Sequence, residues 1–248
     1  FYRKGNQLIL TEEGEILYEK ATYILQYCTE LQSTYFGASK VKPPLRIGIP
    51  PMLSTVFFPE LLNAFQKAHP DISVTLEEYG SVRACNLVQN DTLDLALVNM
   101  EQYNIDKFNH MVLANDQVVF CVSKEHRLAK KEVVTTVDMA PESLIFFNGD
   151  SVQNQILKIR FELDGYTPHV IMRSSQIYTT LQFLKDNKCG CFLYSSMTNK
   201  FPDIVRIPLQ PPIYIKIGVI WKKGKYISND MQTFLNFTKK YYQEHPLA

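Results

Sequence analysis

Residues 45–81 read LRIGIPPMLSTVFFPELLNAFQKAHPDISVTLEEYGS, and their periodicities decide the fold class. Leu45, Ile47 and Ile49 alternate as in a strand with a buried face. Pro50 and Pro51 break that run. Phe58, Leu61, Leu62 and Phe65 then recur at helical spacing until Pro70 stops them. Ser73–Glu77 reads as a second strand, Ser81–Asn90 as a short helix and Leu93–Val98 as a third strand. Strand and helix in this alternation predict a parallel sheet with right-handed crossovers.

Towards the C-terminus, Gln117–Ser123 is expected to be another strand, after which the pattern restarts. Leu144–Phe147 is a strand and Val152–Leu163 a helix closed by Gly165. Strand His169–Arg173, helix Gln176–Asp186 and strand Cys191–Tyr194 follow. A strand pair, Ile204–Pro208 and Ile213–Trp221, leads to a helix from about Ser228 to Tyr242. Two successive β/α units predict two lobes, with the last helix returning to complete the first. The chain would then cross twice, near Val118–Ser123 and Ile213–Val219, leaving a cleft that can hold a ligand.

Towards the N-terminus, Thr11 is a good helix cap, and Glu12, Glu13 and Glu15 complement a helix N-terminus. Leu17, Ala21, Ile24, Cys28, Leu31 and Tyr35 follow at spacings of 4, 3, 4, 3 and 4, a heptad seam suited to pairing with a second helix. Gly37–Pro44 reads as a hinge.

The chain has 248 residues, 46% of them apolar and 21% charged, as in an ordinary globular protein. Lys and Arg number 26 against 25 Asp and Glu, so no global field draws it to nucleic acid or lipid. No apolar run approaches the roughly 18 residues of a membrane span, and Phe1–Asn6 lacks a signal-peptide core. The five cysteines, odd in number, suit a reducing cytosol. Neither a Rossmann nor a P-loop glycine pattern occurs, so no nucleotide cofactor is expected.

Four strings carry a family resemblance. RKGNQLILTEEGEILYEKA resembles the wing and linker-helix start of LysR-type transcriptional regulators, and residues 45–81 resemble the opening of their effector domain. VVFCVSKEHRLAKKEVVTTVDMAPESLIFF resembles the first crossover with the start of the second lobe, and IGVIWKKGKYISNDMQTFLNF the return strand with the final helix. The resemblance implies a cytoplasmic regulator with an α/β, two-lobed, periplasmic-binding-protein-like (type II) effector domain behind a long linker helix. It divides the chain into a wing remnant (1–10), a dimerisation helix (11–38), a hinge (39–44) and an effector domain (45–248). Lobe I would comprise 45–120 and 219–248, and lobe II 121–218. Most of the winged helix-turn-helix is expected to precede Phe1. Arg3 and Lys4 match the family's basic wing, whose contacts to DNA backbone position the protein without specifying sequence. A homodimer or homotetramer is implied, with the helix at Phe58–Ala68 of one chain antiparallel to that at Gln176–Asp186 of another. Its partners would be operator DNA and a small-molecule effector, with no membrane.

In such lobes a ligand sits outside the carboxyl ends of the strands. The candidate effector residues are therefore Pro51, Met52, Leu53, Ser54 and Thr55 after the first strand, with Ser54 and Thr55 as caps of the following helix. Asn99 follows the third strand, and Phe147, Asn148 and Gly149 follow the first strand of the second lobe. Ser175 precedes a helix and Tyr194 ends a strand. Short polar groups beside Met52, Phe147 and Tyr194 suit a small organic acid or another compact polar molecule, although Asp150 argues mildly against a strongly acidic one. The five histidines show no metal spacing, and Cys189 and Cys191 are poorly spaced for a redox pair. No acid–base pair or nucleophile elbow marks an enzyme. A free-standing solute-binding protein of the same fold is the alternative, but it leaves the heptad helix without a purpose.

Overall fold

Thr11 does cap the long helix: its hydroxyl oxygen accepts the Gly14 amide at 3.0 Å. The structure is a computed structural model describing residues 1–5, 7–35, 43–101, 105–185 and 189–245. Strands β1 (Tyr2–Lys4) and β2 (Gln7–Ile9) form an antiparallel ribbon, and helix α1 (Glu12–Tyr35) follows. At 24 residues it is about 36 Å long. Its seam faces solvent in the single chain, with Leu17 69% and Ile24 59% exposed. Most of the expected hinge lies outside the described residues.

The first β/α unit comprises β3 (Leu45–Ile49), α2 (Pro51–Val56), α3 (Phe58–Ala68), β4 (Val74–Glu78), α4 (Ser81–Gln89) and β5 (Leu95–Asn99). β3 runs parallel to β4 and β5. Helix α2 was not expected. Its start at Pro51 follows from a proline whose fixed φ and missing N–H suit a first helical position.

Strand β6 (Phe108–Ser123) begins nine residues before the expected Gln117. Helix α5 (Thr136–Met139), a short turn closed by a Thr135–Asp138 capping box, was also unforeseen. The second unit is β7 (Ser143–Phe146), α6 (Val152–Leu163), β8 (His169–Arg173), α7 (Ile177–Lys185) and β9 (Gly190–Tyr194). Helix α8 (Ser195–Thr198), strand β10 (Ile204–Lys222) and helix α9 (Asn229–Glu244) complete the chain. The expected final strand pair is one strand. Its pairing with β6 lapses between Pro208 and Ile213, because Pro208, Pro211 and Pro212 have no N–H for the ladder, and then resumes.

The eight strands form one sheet in the order β4-β3-β5-β10-β6-β9-β7-β8. β10 pairs antiparallel to β5 in the first half and to β6 through both, so β6 and β10 are the two crossovers. Helix α9 returns to the first half. Phe234 meets Phe65 with ring centroids 5.0 Å apart, and the Tyr242 hydroxyl donates to the Phe57 carbonyl at 2.8 Å.

Candidate functional site

The sheet order turns the carboxyl ends of β5 and β9 towards one another. Asn99 lies opposite Ile217 of β10, and Tyr194 opposite Val118, which itself faces Ile213. The Asn99 amide donates to the Tyr194 hydroxyl oxygen at 3.4 Å and so bridges the two halves. Asn99 makes two further hydrogen bonds: its N–H donates to the Ser81 hydroxyl and its side-chain oxygen accepts the Glu101 amide, both at 3.0 Å. Burial, partly countered by Asn99, pushes the Tyr194 phenol far above its ordinary pKa, so it remains a neutral hydroxyl.

Around this bridge the strand-end loops converge on one cleft. Pro51 and Met52 enter from the start of α2, Phe147 and Asn148 from the loop after β7, Ser175 from the approach to α7, and Tyr194 from the floor. The Phe147–Asn148 loop is held by Asn154. Its Oδ1 accepts the Phe147 amide at 3.1 Å, and its Nδ2 donates to the Asn148 carbonyl at 2.8 Å and to that of Phe147.

The remaining expected residues are placed elsewhere. Leu53 is fully buried in the core, and Asn99 lies beneath the cleft rather than on its wall. Gly149 is exposed and does not line the cavity. Ser54 and Thr55 are not helix caps: they sit within α2, and each hydroxyl donates to the Pro51 carbonyl at 2.9 Å. That correction follows from the helix starting at Pro51, which leaves both residues in its second turn. Ser54 also donates to Glu78. Gly80, Ser81 and Asp150 line the cleft although they were not among the candidates. The glycine–serine pair that opens α4, after a strand's carboxyl end, was the available signal.

A larger cavity of about 330 Å³ separates α1 from the loop joining β10 to α9. Tyr226 of that loop meets Tyr23 and Tyr27 edge-on, at 5.3 and 5.4 Å between centroids. The loop is anchored by ions. Lys225 donates to Asp94 at 2.9 Å and lies 3.5 Å from Asp91, while Lys222 meets Asp91 at 2.5 Å. Beside this gap, α1 meets the loop after β10 through those ring contacts.

Among the described residues no group of three or more His, Cys, Asp or Glu is arranged to hold a metal. Cys121, Cys189 and Cys191 are buried together, and burial, with Cys121 adjacent, pushes the Cys191 thiol well up, which leaves it unreactive. Arg3 and Lys4 are exposed on β1.

The model of the LysR substrate-binding domain matches residues 38–243. The chain belongs to the LysR-type transcriptional regulators. The HTH-type transcriptional regulator YwbI of Bacillus subtilis is 29% identical over 203 residues, covering 81% of this chain and 67% of that protein. Two solved LysR-like structures, each 20% identical, share the fold. The effector-binding domain of QuiR in complex with shikimate has a TM-score of 0.69, covering 82% of this chain and 98% of its own. The regulatory domain of Synechocystis PCC6803 CcmR in complex with 2-PG has a TM-score of 0.73, covering 81% and 97%. YwbI, like GltC of the same organism, is named as a transcriptional regulator. As a LysR-type protein, the chain has the periplasmic-binding-protein-like effector fold, and none of its described helices is long and apolar enough to cross a membrane.

Proposed function

We propose that this LysR-type chain senses a small organic acid or similarly compact polar molecule in the cleft between its two halves and relays the binding to operator DNA through α1. The supporting observation is that Pro51 and Met52 of one half and Phe147, Asn148, Ser175 and Tyr194 of the other converge at the strand ends. Met52 and Phe147 offer apolar surface, and Asn148 and Ser175 offer hydrogen bonds to a carboxylate or hydroxyl. Shikimate and 2-PG, held by QuiR and CcmR, have that chemistry.

In this reading the working bodies are lobe I (45–120 with 219–248) and lobe II (121–218), which reorient about β6 and β10. An effector that contacts the two arrangements differently shifts their population, and only that differential affinity is transmitted. The exposed seam of α1 pairs with a second copy in a homodimer or homotetramer, and Arg3 and Lys4 touch the DNA backbone. A solute-binding role without transcription gives this seam and the Tyr226 contact no task.

A thermal-shift screen against shikimate, aromatic carboxylates, amino acids and sugars tests the proposal. Ligand at 100 times its Kd adds about 2.7 kcal/mol, which for a domain of this size raises Tm by about 5–11 °C. Ser175→Phe, which fills the cleft, should abolish the response. Silence across the panel, or a shift that survives Ser175→Phe, would overturn the assignment.

A further inference from the structure

The cleft between the halves has a volume of only about 20 Å³. That admits a water molecule, whereas small-molecule sites run to about 300–1,000 Å³. The cleft walls are therefore pressed together, and two hydrogen bonds across the cleft hold them. The Asp150 carboxylate accepts the Gly80 amide at 2.8 Å, and the Asp150 backbone carbonyl accepts the Val82 amide at 3.3 Å. Both amides lie at the start of α4, where a helix has donors without intrahelical partners and its dipole favours a negative group.

The contact is specific to glycine. A Cβ on Gly80 would lie 2.3 Å from the Asp150 Cγ and 2.5 Å from its carbonyl oxygen, so any other residue forces the two walls apart. Asp150 is itself held in place. Ser151, the next residue, immediately precedes α6 and donates its amide to the Asn148 carbonyl at 3.1 Å. The Asn99–Tyr194 bond cannot do the same work, because it joins strand ends already tied through β6 and β10.

We propose that Asp150 is a latch that holds the effector cleft shut, so that an effector acts by opening the cleft rather than by closing it. The regulatory half of this inference rests on the effector reading above; the latch itself does not. While the latch is engaged, the binding-competent form is a minor fraction, and apparent affinity falls by that fraction. Releasing Asp150 therefore tightens effector binding without adding a contact.

Amide hydrogen exchange without any ligand tests the latch, on the full chain as wild type, Asp150→Ala and Gly80→Ala. In Asp150→Ala the Gly80 amide should exchange at least about tenfold faster while the core strands keep their protection. In Gly80→Ala, where the carboxylate remains but cannot seat, Val82 is the reporter and should accelerate likewise. Asp150→Ala removes only a half-buried side chain, so the test survives if Gly80→Ala fails to fold. Unchanged Gly80 exchange in Asp150→Ala would overturn the latch. Since no ligand is present, a failed effector screen leaves this result standing, and the reverse also holds.

Discussion

Replacing Asp94 by asparagine should destabilise the protein by removing the anion at the centre of a three-element network. The Asp94 carboxylate accepts from the Arg46 backbone N–H at 2.9 Å, from its Nε at 3.1 Å, from its Nη2 at 2.9 Å and from Lys225 Nζ at 2.9 Å. β3, the turn before β5 and the loop after β10 meet there. The Lys225 side chain is 6% exposed, so after the substitution its charge is left nearly buried, with Asp91 at 3.5 Å as its remaining counter-ion. Breaking a well-buried pair costs about 3–5 kcal/mol. The Arg46 side chain is 40% exposed and regains water, and an asparagine oxygen still accepts one donor, which brings the expected loss to about 2–3 kcal/mol. For a chain of this size that lowers Tm by about 4–12 °C. Burial pushes the Asp94 carboxyl up, but Arg46 and Lys225 together outweigh it and hold the group below the usual carboxylate range. A depressed carboxylate stabilises the fold above its unfolded pKa of about 4 and loses that contribution as the pH falls through the folded value. The wild-type advantage should thus be complete at neutral pH and shrink below about pH 4. Urea unfolding of both proteins across that range measures it. Equal stability at neutral pH, or a difference that persists undiminished in acid, would show that the Asp94 charge does not stabilise the fold.

Two further outcomes test the linker helix. Tyr226→Ala removes both edge-on ring contacts to α1; at about 0.5–1.5 kcal/mol each, helix protection in hydrogen exchange should drop by about 5- to 150-fold while the sheet is unaffected. Leu31→Asp places a charge in the heptad seam, and sedimentation should show the assembly falling to smaller species; an unaltered dimer or tetramer would count against pairing through this face.

The β/α units were legible because hydrophobic period changes sharply between them. Helix 152–163 and strand 169–173 have the limits expected from sequence, since Gly165 ends the one and alternating burial marks the other. Residues 108–116 did not read as strand, because Asn109, His110, Asn115 and Asp116 interrupt the apolar pattern in a segment only partly buried. Helix α2, six residues long, is too short to show a period, and Pro50 and Pro51 at its start imitate a loop. Three prolines likewise made one long strand look like two.

Topology fixes where a cleft's edges are, and the edges were therefore readable as polar residues after each strand. How far they stand apart depends on contacts between segments remote in sequence: Gly80 and Asp150 are separated by 70 positions, and neither carries a local signal of the other. The same contact revises the argument about ligand charge. Read alone, Asp150 counts against an acidic effector, because a free carboxylate on the rim repels one. In the structure that carboxylate is bound to the Gly80 amide at the positive end of α4, and its charge is offset there. Under the function and latch proposed above, a ligand carboxylate entering the cleft would compete with Asp150 for the same kind of donor, so this residue would set the threshold an acid must overcome rather than exclude one.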